Sequence, residues 1–273
     1  MRSLSMQKIK KLWHIVVSFG VLIIIWQLVA TFGGFNSVLF PTPIKVATAF
    51  QELFTSGLKG STSDATLISH LVASLYRFAI GYFSSVIVAV FLGLIFGWFN
   101  KVYAYIDPIV QLLRPIAPIA WSPFVVLWFG IGDIPAIAII FIAGFFPVLL
   151  STITAVRNID PIYLKVARNF GLSQFATLTK IVFPAIFPQI ASSLHLALST
   201  SWIFLVSGEM VGSQSGLGFL IMDTKNCIRS DALLATMITI GVVGLLLDRL
   251  IGLVENLVAK KWGFGVTKYI NKD

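Results

Sequence analysis

Apolar runs long enough to cross a lipid bilayer recur along this chain, at about 15–32, 75–98, 108–130, 134–156, 187–211 and 232–257. A spanning helix needs ~20 apolar residues, and backbone in hydrocarbon has to satisfy its own hydrogen bonds. The expected fold is therefore all-α, a polytopic membrane protein of about six transmembrane helices. Six spans with their loops use up the 273 residues, so 1–273 reads as one transmembrane domain. Composition agrees: 57% of residues are hydrophobic and 11% charged, and the mean hydropathy is +0.92, whereas apolar residues make up roughly 45–50% of a soluble domain.

The first run follows MRSLSMQKIKK, which looks like the charged start of a signal peptide. Its apolar core is longer than the usual ~7–15 residues and no small-residue cleavage site follows, so it reads as an uncleaved first span. Cations then set the orientation. Arg2, Lys8, Lys10 and Lys11 precede span one, Lys101 follows span two, and Arg157, Lys165, Arg168 and Lys180 lie between spans four and five. Lys260, Lys261, Lys268 and Lys272 follow span six, and against all these stand Lys45, Lys59, Lys225 and Arg229. By the positive-inside rule both termini and the 157–186 loop are cytoplasmic. The membrane thus accounts for the net charge of +9, and nucleic acid is not expected as a partner. The single cysteine, Cys227, excludes an internal disulfide and reads as a small apolar side chain.

The 157–186 loop is the most informative polar stretch. Asp160-Pro161 offers an N-cap followed by a proline at the first helical position, where its missing N–H costs nothing. The spacing predicts a short helix with Tyr163, Leu164, Ala167 and Phe170 on one side and Lys165 and Arg168 toward the other. Gly171 suits the left-handed end of that helix, and Ser173 caps a second short helix that finishes before Pro184. Such an elbow is either a contact surface or a mere connection with an interfacial amphipathic helix.

Here the chain resembles the permease subunits of ABC importers. Their coupling loop carries Glu-Ala-Ala, three residues, Gly, nine residues, Ile-x-Leu-Pro; this chain has Lys165-Val166-Ala167, Gly171 and Ile181-Val182-Phe183-Pro184 in the same register. Lys165 and Val166 depart from the pattern, so no role of the family's glutamate carries over. LFPTP (39–43), LRPIAPIAWSPFVVLWFGIGD (113–133), AVRNIDP (155–161) and SGLGFLI (215–221) are similar to the branch importing nitrate, bicarbonate, taurine and aliphatic sulfonates. The resemblance implies a type I ABC importer permease fold and a bacterial or archaeal cytoplasmic (inner) membrane location. The implied partners are a second permease copy in a homodimer, two ATP-binding subunits and an extracytoplasmic substrate-binding protein. Tyr163, Lys165, Ala167, Arg168, Asn169, Phe170, Gly171, Leu172, Ile181 and Pro184 would then contact the ATPase. No cofactor is expected in this chain, because ATP and magnesium would sit in the partner. Related permeases carry heterocyclic vitamin precursors, which stays open as an alternative cargo.

Pro115, Pro118 and Pro123 each remove a backbone donor, so a regular helix through 113–133 is not expected. Irregular backbone at membrane depth needs cover from protein or water. This segment is accordingly expected to line the translocation path, with Trp121, Ser122, Trp128 and Phe129 as walls. Arg114 at the start of that span either attracts an anion or snorkels to the interface. Glu209 lies near the outer end of span five, with Ser207, Ser213 and Gln214 as expected hydrogen-bond partners, and its expected role is to hold that span against a neighbour. His195 is either a hydrogen-bonded core histidine or a path residue.

Enzyme classes find no support: His14, His70 and His195 are scattered, and H-E-x-x-H, G-x-S-x-G and the Walker A pattern G-x-x-x-x-G-K-[ST] are missing. Pairs of acids are expected to be absent from the spans, which also disfavours a proton-driven carrier, since only Glu209 and His195 would serve as a relay.

Overall fold

The computed structural model describes residues 2–34, 36–60 and 65–261. Lys268 and Lys272, which the orientation argument placed on the cytoplasmic side, lie outside them. The described residues are helical with no strand among them, as hydrocarbon solvation demands. The helices are α1 (Arg2–Phe32), α2 (Pro43–Thr55), α3 (Leu67–Trp98), α4 (Asn100–Leu113), α5 (Ser122–Phe129) and α6 (Asp133–Arg157). They continue with α7 (Pro161–Asn169), α8 (Gln174–Thr177), α9 (Phe183–Gly212), α10 (Leu217–Asn226) and α11 (Ser230–Lys261).

Four helices are long and apolar enough to cross a membrane: α3, α6, the continuous Gln174–Gly212 stretch and Ser230–Leu253 of α11. The pair α4 and Pro118–Phe129, bent by 88°, makes a fifth. The apolar part of α1, Val16–Phe32, is shorter, so the first of the six expected spans falls below the ~20-residue length.

The chain divides into two compact units. One comprises residues up to His70 with Leu220–Thr239, the other Leu71–Phe219 with the residues from Ile240 on. In the first, Thr42 caps α2 by accepting from the Lys45 amide, with Pro43 at the start, and the Trp26 indole donates to the Pro41 carbonyl at 3.1 Å. Arg229 forks between Glu52 (3.2 and 2.9 Å) and Asp231 (2.9 and 3.0 Å).

The second unit is built on three helices. Gly81, Gly93 and Gly97 of α3 lie against Ile140, Thr152 and Val156 of α6 so closely that any added methyl would collide with those side chains. Small residues bring membrane helices together where no hydrophobic force exists between them. The contacts keep the same order along both helices, so α3 and α6 run parallel. α6 and α9 run antiparallel, Ser201 Oγ donating to the Ile140 carbonyl at 3.3 Å and Ser151 Oγ to the Gln189 carbonyl at 3.5 Å. A buried cluster of Ala155, Val156, Val182, Ile186 and Ile190 closes the end where α6 hands over to α9.

The parallel pairing decides the topology of the bent segment. The chain leaves α3 at one end of the bundle and starts α6 at the other, so residues 99–132 have to traverse the full thickness. The bent pair is a broken span and not a re-entrant loop. Its break follows the prolines: α4 ends at Leu113, a 3-10 turn runs Pro118–Trp121, and Pro123 sits in the first turn of α5, where a missing N–H is tolerated.

Candidate functional site

The elbow joins the end of α6 to the start of α9. Asp160 Oδ1 accepts from the Ile162 amide at 2.8 Å and starts α7. The helix closes with paired bonds, Gly171 N–H to Arg168 O at 3.0 Å and Leu172 N–H to Ala167 O at 3.1 Å, with Gly171 at φ +65°. This is the Schellman closure, which favours a residue without Cβ at that point. Ser173 Oγ then accepts from the Ala176 amide at 3.3 Å and starts α8.

Two expectations for the elbow need correction. Only Leu164 and Ala167 turn inward; Tyr163 and Phe170, expected beside them, point outward with Ile162, Val166 and Phe175. Phe170 and Phe175 are 77% and 76% exposed, and Lys165, Arg168 and Asn169 are exposed on α7. Nor does the second helix finish before Pro184. A π-turn at Leu178–Val182, closed by the Phe183 amide on the Leu178 carbonyl, carries it into α9. That wide turn sits immediately before the proline, whose ring and missing N–H a regular ladder would not admit. Ile181 and Pro184 are therefore half-buried in the base of α9, away from the tip; Leu172 is half-buried in the turn.

The broken span opens two cavities. Trp121, Phe124, Trp128 and Phe129 line one of about 430 Å³, facing Ile137 and Phe141 of α6. Arg114 lines the other, of about 410 Å³, with Phe146, Leu196 and Thr200. The expected path residues are thus divided: Arg114 is separated from the tryptophans, and Ser122 is buried. Trp121 Nε1 is buried and lacks a hydrogen-bond partner among the described residues.

At the end of the bundle remote from the elbow, Glu209 is completely buried. It accepts from Arg77 Nη1 at 2.7 Å, from Ser74 Oγ at 2.8 and 2.9 Å and from the Gly218 amide at 2.9 Å. Arg77 is itself 3% exposed and reaches Asp133 Oδ1 at 2.7 Å and the Ser215 carbonyl at 2.7 Å. Ser74 Oγ in turn accepts from the Leu217 amide at 2.8 Å. The starts of α3 and α6, the end of α9 and the SGLG turn are thereby fastened at one point. Gly216, at φ +107°, faces the carboxylate so closely that a Cβ would land on it, which explains the glycine in that motif. The expected structural role for Glu209 has a physical basis here, but its side-chain partners are Arg77 and Ser74. Ser213 donates instead to the Gly132 carbonyl at 3.4 Å.

Sequence reasoning missed Arg77, Ser74, Asp133 and Ser215. The signal was a cation within SLYRFAIGYF: a charge inside one apolar run calls for the opposite charge from another. His195 carries a similar lesson. Its Nε2 lies 2.8 Å from Asp248 Oδ1 and its Nδ1 3.1 Å from Glu255 Oε2. Both acids belong to α11, so the expectation that paired acids are absent from the spans is wrong. His195 lines neither cavity; both its nitrogens can donate only as an imidazolium.

Comparison with known proteins agrees with this architecture. Residues 85–260 match the family model described as binding-protein-dependent transport system inner membrane component. The chain is 31% identical over 231 residues to the taurine transport system permease protein TauC of Escherichia coli K12, covering 85% of this chain and 83% of that one. It is 34% identical over 242 residues to the nitrate import permease protein NrtB of Leptolyngbya laminosa, covering 89% and 86%. Among solved structures, an inward-facing form of the MetNI methionine ABC transporter superposes with a TM-score of 0.60 at 19% identity, covering 72% of this chain and 95% of that one; that likeness concerns the fold.

Proposed function

This chain belongs to the binding-protein-dependent transport system inner membrane components, and we propose that it is the permease subunit of an ATP-driven importer for a small anion. The cargo class is an aliphatic sulfonate, taurine, nitrate or bicarbonate, supported by the names of its relatives. The chain works as a homodimer in the inner membrane of a bacterium or archaeon, with cytoplasmic termini. Two ATP-binding subunits hydrolyse ATP beneath it, and an extracytoplasmic binding protein delivers cargo above.

The observation that carries the reading is the elbow. Phe170 and Phe175 are aromatic rings exposed at a rigidly closed polar turn, and exposed apolar patches of this kind mark contact surfaces. A socket on the ATPase accounts for them. Movement of the elbow reaches α6 directly and α9 through the π-turn. Because Arg77 and Glu209 fasten the remote ends, displacement at the elbow becomes a tilt that opens the cavities to one side or the other, as alternating access requires.

Co-purification with the ATPase subunit tests the reading. Phe170→Asp should abolish retention while membrane insertion persists. Lys165→Glu with Arg168→Glu should weaken retention more modestly and in a salt-dependent way, as for exposed ion pairs. Full retention of the ATPase by both variants would overturn the coupling role.

A further inference from the structure

Beside the elbow, on the flank of the bundle, lies a larger cavity whose wall includes Phe175 of the elbow itself. It measures about 740 Å³ and is lined by Phe91, Leu94, Ile95, Leu178 and Phe183, with Trp98, Phe99 and Gln174 at its mouth. Those last three residues also border a second cavity of about 520 Å³, whose remaining wall is Asn100, Lys101 and Val102. Sharing Trp98, Phe99 and Gln174, the two together present an apolar floor and a polar, cationic rim. No carboxylate lines either part. Arg157 adds a second cation, donating to Asn100 Oδ1 at 2.9 Å and stacking over the Tyr103 ring at 4.1 Å. The Arg157 bond occupies the Asn100 oxygen and leaves its amide N–H groups as donors toward the rim.

The site's height in the membrane follows from the chain. Trp98 ends the apolar α3 and Asn100 starts the next helix, so the aromatic mouth lies at the level where tryptophans mark the boundary between hydrocarbon and headgroups. An apolar floor below that boundary with cations at it fits a molecule that is itself apolar below and anionic above. The volume lies within the ~300–1,000 Å³ of small-molecule sites, and basic pockets between spanning helices at the cytoplasmic surface suit anionic headgroups. We infer that this site binds one anionic phospholipid, its phosphate at Lys101 and the Asn100 and Gln174 amides and an acyl chain over Leu94 and Leu178. The inference rests on the proposed orientation, with the elbow end at the cytoplasmic surface, and does not depend on the identity of any cargo. Because Gln174 and Leu178 belong to the second arm of the elbow, the lipid touches the element that would carry coupling.

The test uses the full chain reconstituted in phosphatidylcholine nanodiscs containing a minor share of phosphatidylglycerol, followed by native mass spectrometry. The parent protein should retain phosphatidylglycerol in preference to phosphatidylcholine. Lys101→Glu should lower that retention about fivefold or more, the size of one cation's attraction to an anionic surface, and leave phosphatidylcholine retention unchanged. Leu178→Trp should fill the floor and lower retention of both. Should that variant fold poorly, a photoactivatable phosphatidylglycerol on the parent should label peptides containing Phe91 or Leu178. Equal retention of the two lipids by the parent, or retention unaffected by Lys101→Glu, overturns the headgroup assignment. Photolabelling confined to other faces overturns the site, and so does a photo-crosslinker at Phe175 that captures a second copy of this chain in place of lipid.

Discussion

At one end of the α6 and α9 pair, Glu209 is completely buried; the Arg77 and Ser74 side chains and the Gly218 amide close around it, with the Leu217 amide on Ser74. At the other end, the elbow is closed by its own backbone and by the Asp160 and Ser173 caps, and it turns Phe170 and Phe175 outward. The two ends lie about 37 Å apart along α6, at ~1.5 Å per residue. One end is internally complete, and the other, on the function proposed above, is completed by a partner subunit. The difference separates stability from function: damage at the first end should unfold the protein, and damage at the second should leave it folded and uncoupled.

The strongest way to break this contrast is Arg77→Met. It strands the Glu209 carboxylate without its cation, and removing one partner of a buried pair costs ~3–5 kcal/mol. Thermal unfolding in detergent should fall sharply, and the double variant Arg77→Met, Glu209→Gln should recover part of the loss. A single variant as stable as the parent would show that the cluster does not fasten the bundle.

Glycine substitutions sharpen the contrast at intermediate size. Gly216→Ala forces a methyl against the Glu209 carboxylate at a positive φ, with an expected loss of ~1–3 kcal/mol. Gly171→Val meets open space at φ +65°, so its cost is backbone strain alone, ~1–2 kcal/mol. It should depress uptake and permease-stimulated ATP hydrolysis in proteoliposomes while the melting temperature moves little. Gly171→Asn, which tolerates the left-handed region, should retain most uptake. Equal loss of stability at both glycines would erase the distinction between the two ends.

A smaller effect comes from a half-buried ion pair that serves as a control. Hydrogen bonds from Arg229 hold the Glu52 carboxyl below its ordinary value of 4.5. The stabilisation is present above that ordinary value and is lost as pH falls through the lowered one. Solvent screening keeps it below ~1 kcal/mol. Glu52→Gln should flatten the acid limb of thermal stability slightly, and an unchanged acid limb would remove Glu52 from it.

The least perturbing test labels the space between the two ends. In a Cys227→Ser background, single cysteines at Trp121 and Phe124 should react with small aqueous thiol reagents, since the thiolate forms only where water reaches it. A cysteine at the buried Ser122 should stay unreactive. Labelling of Ser122→Cys alone would reverse the assignment of the cavity wall.

What the sequence made legible was local. Asp160, Gly171 and Ser173 were readable because caps and left-handed closures are settled within five or six residues by hydrogen bonds that the chain offers itself. The apolar runs gave the helices for the same reason. Pairings between distant segments were not readable: Arg77 meets Glu209 across 132 positions, and His195 meets Asp248 and Glu255 across 53 and 60. Nothing near any of these residues announces its partner. Pro184 misled because a proline predicts that a helix stops, while the π-turn before it lets the helix go on. Tyr163 and Phe170 misled because an apolar stripe does not say whether its neighbour lies in the same chain or in another.

The break in the bent membrane crossing has a consequence for how the chain enters the membrane during synthesis. Neither half of it, Asn100–Leu113 nor Pro118–Phe129, reaches the ~20 residues that partition into lipid as an independent helix. The first half also carries Lys101 and Asp107, which further oppose its transfer. Its integration therefore has to await α6, whose glycine-lined partnership with α3 supplies the wall against which the two short helices settle. A nascent chain released before α6 should leave residues 100–129 on the surface it started from, and the orientation of everything that follows then rests on α6 arriving in time.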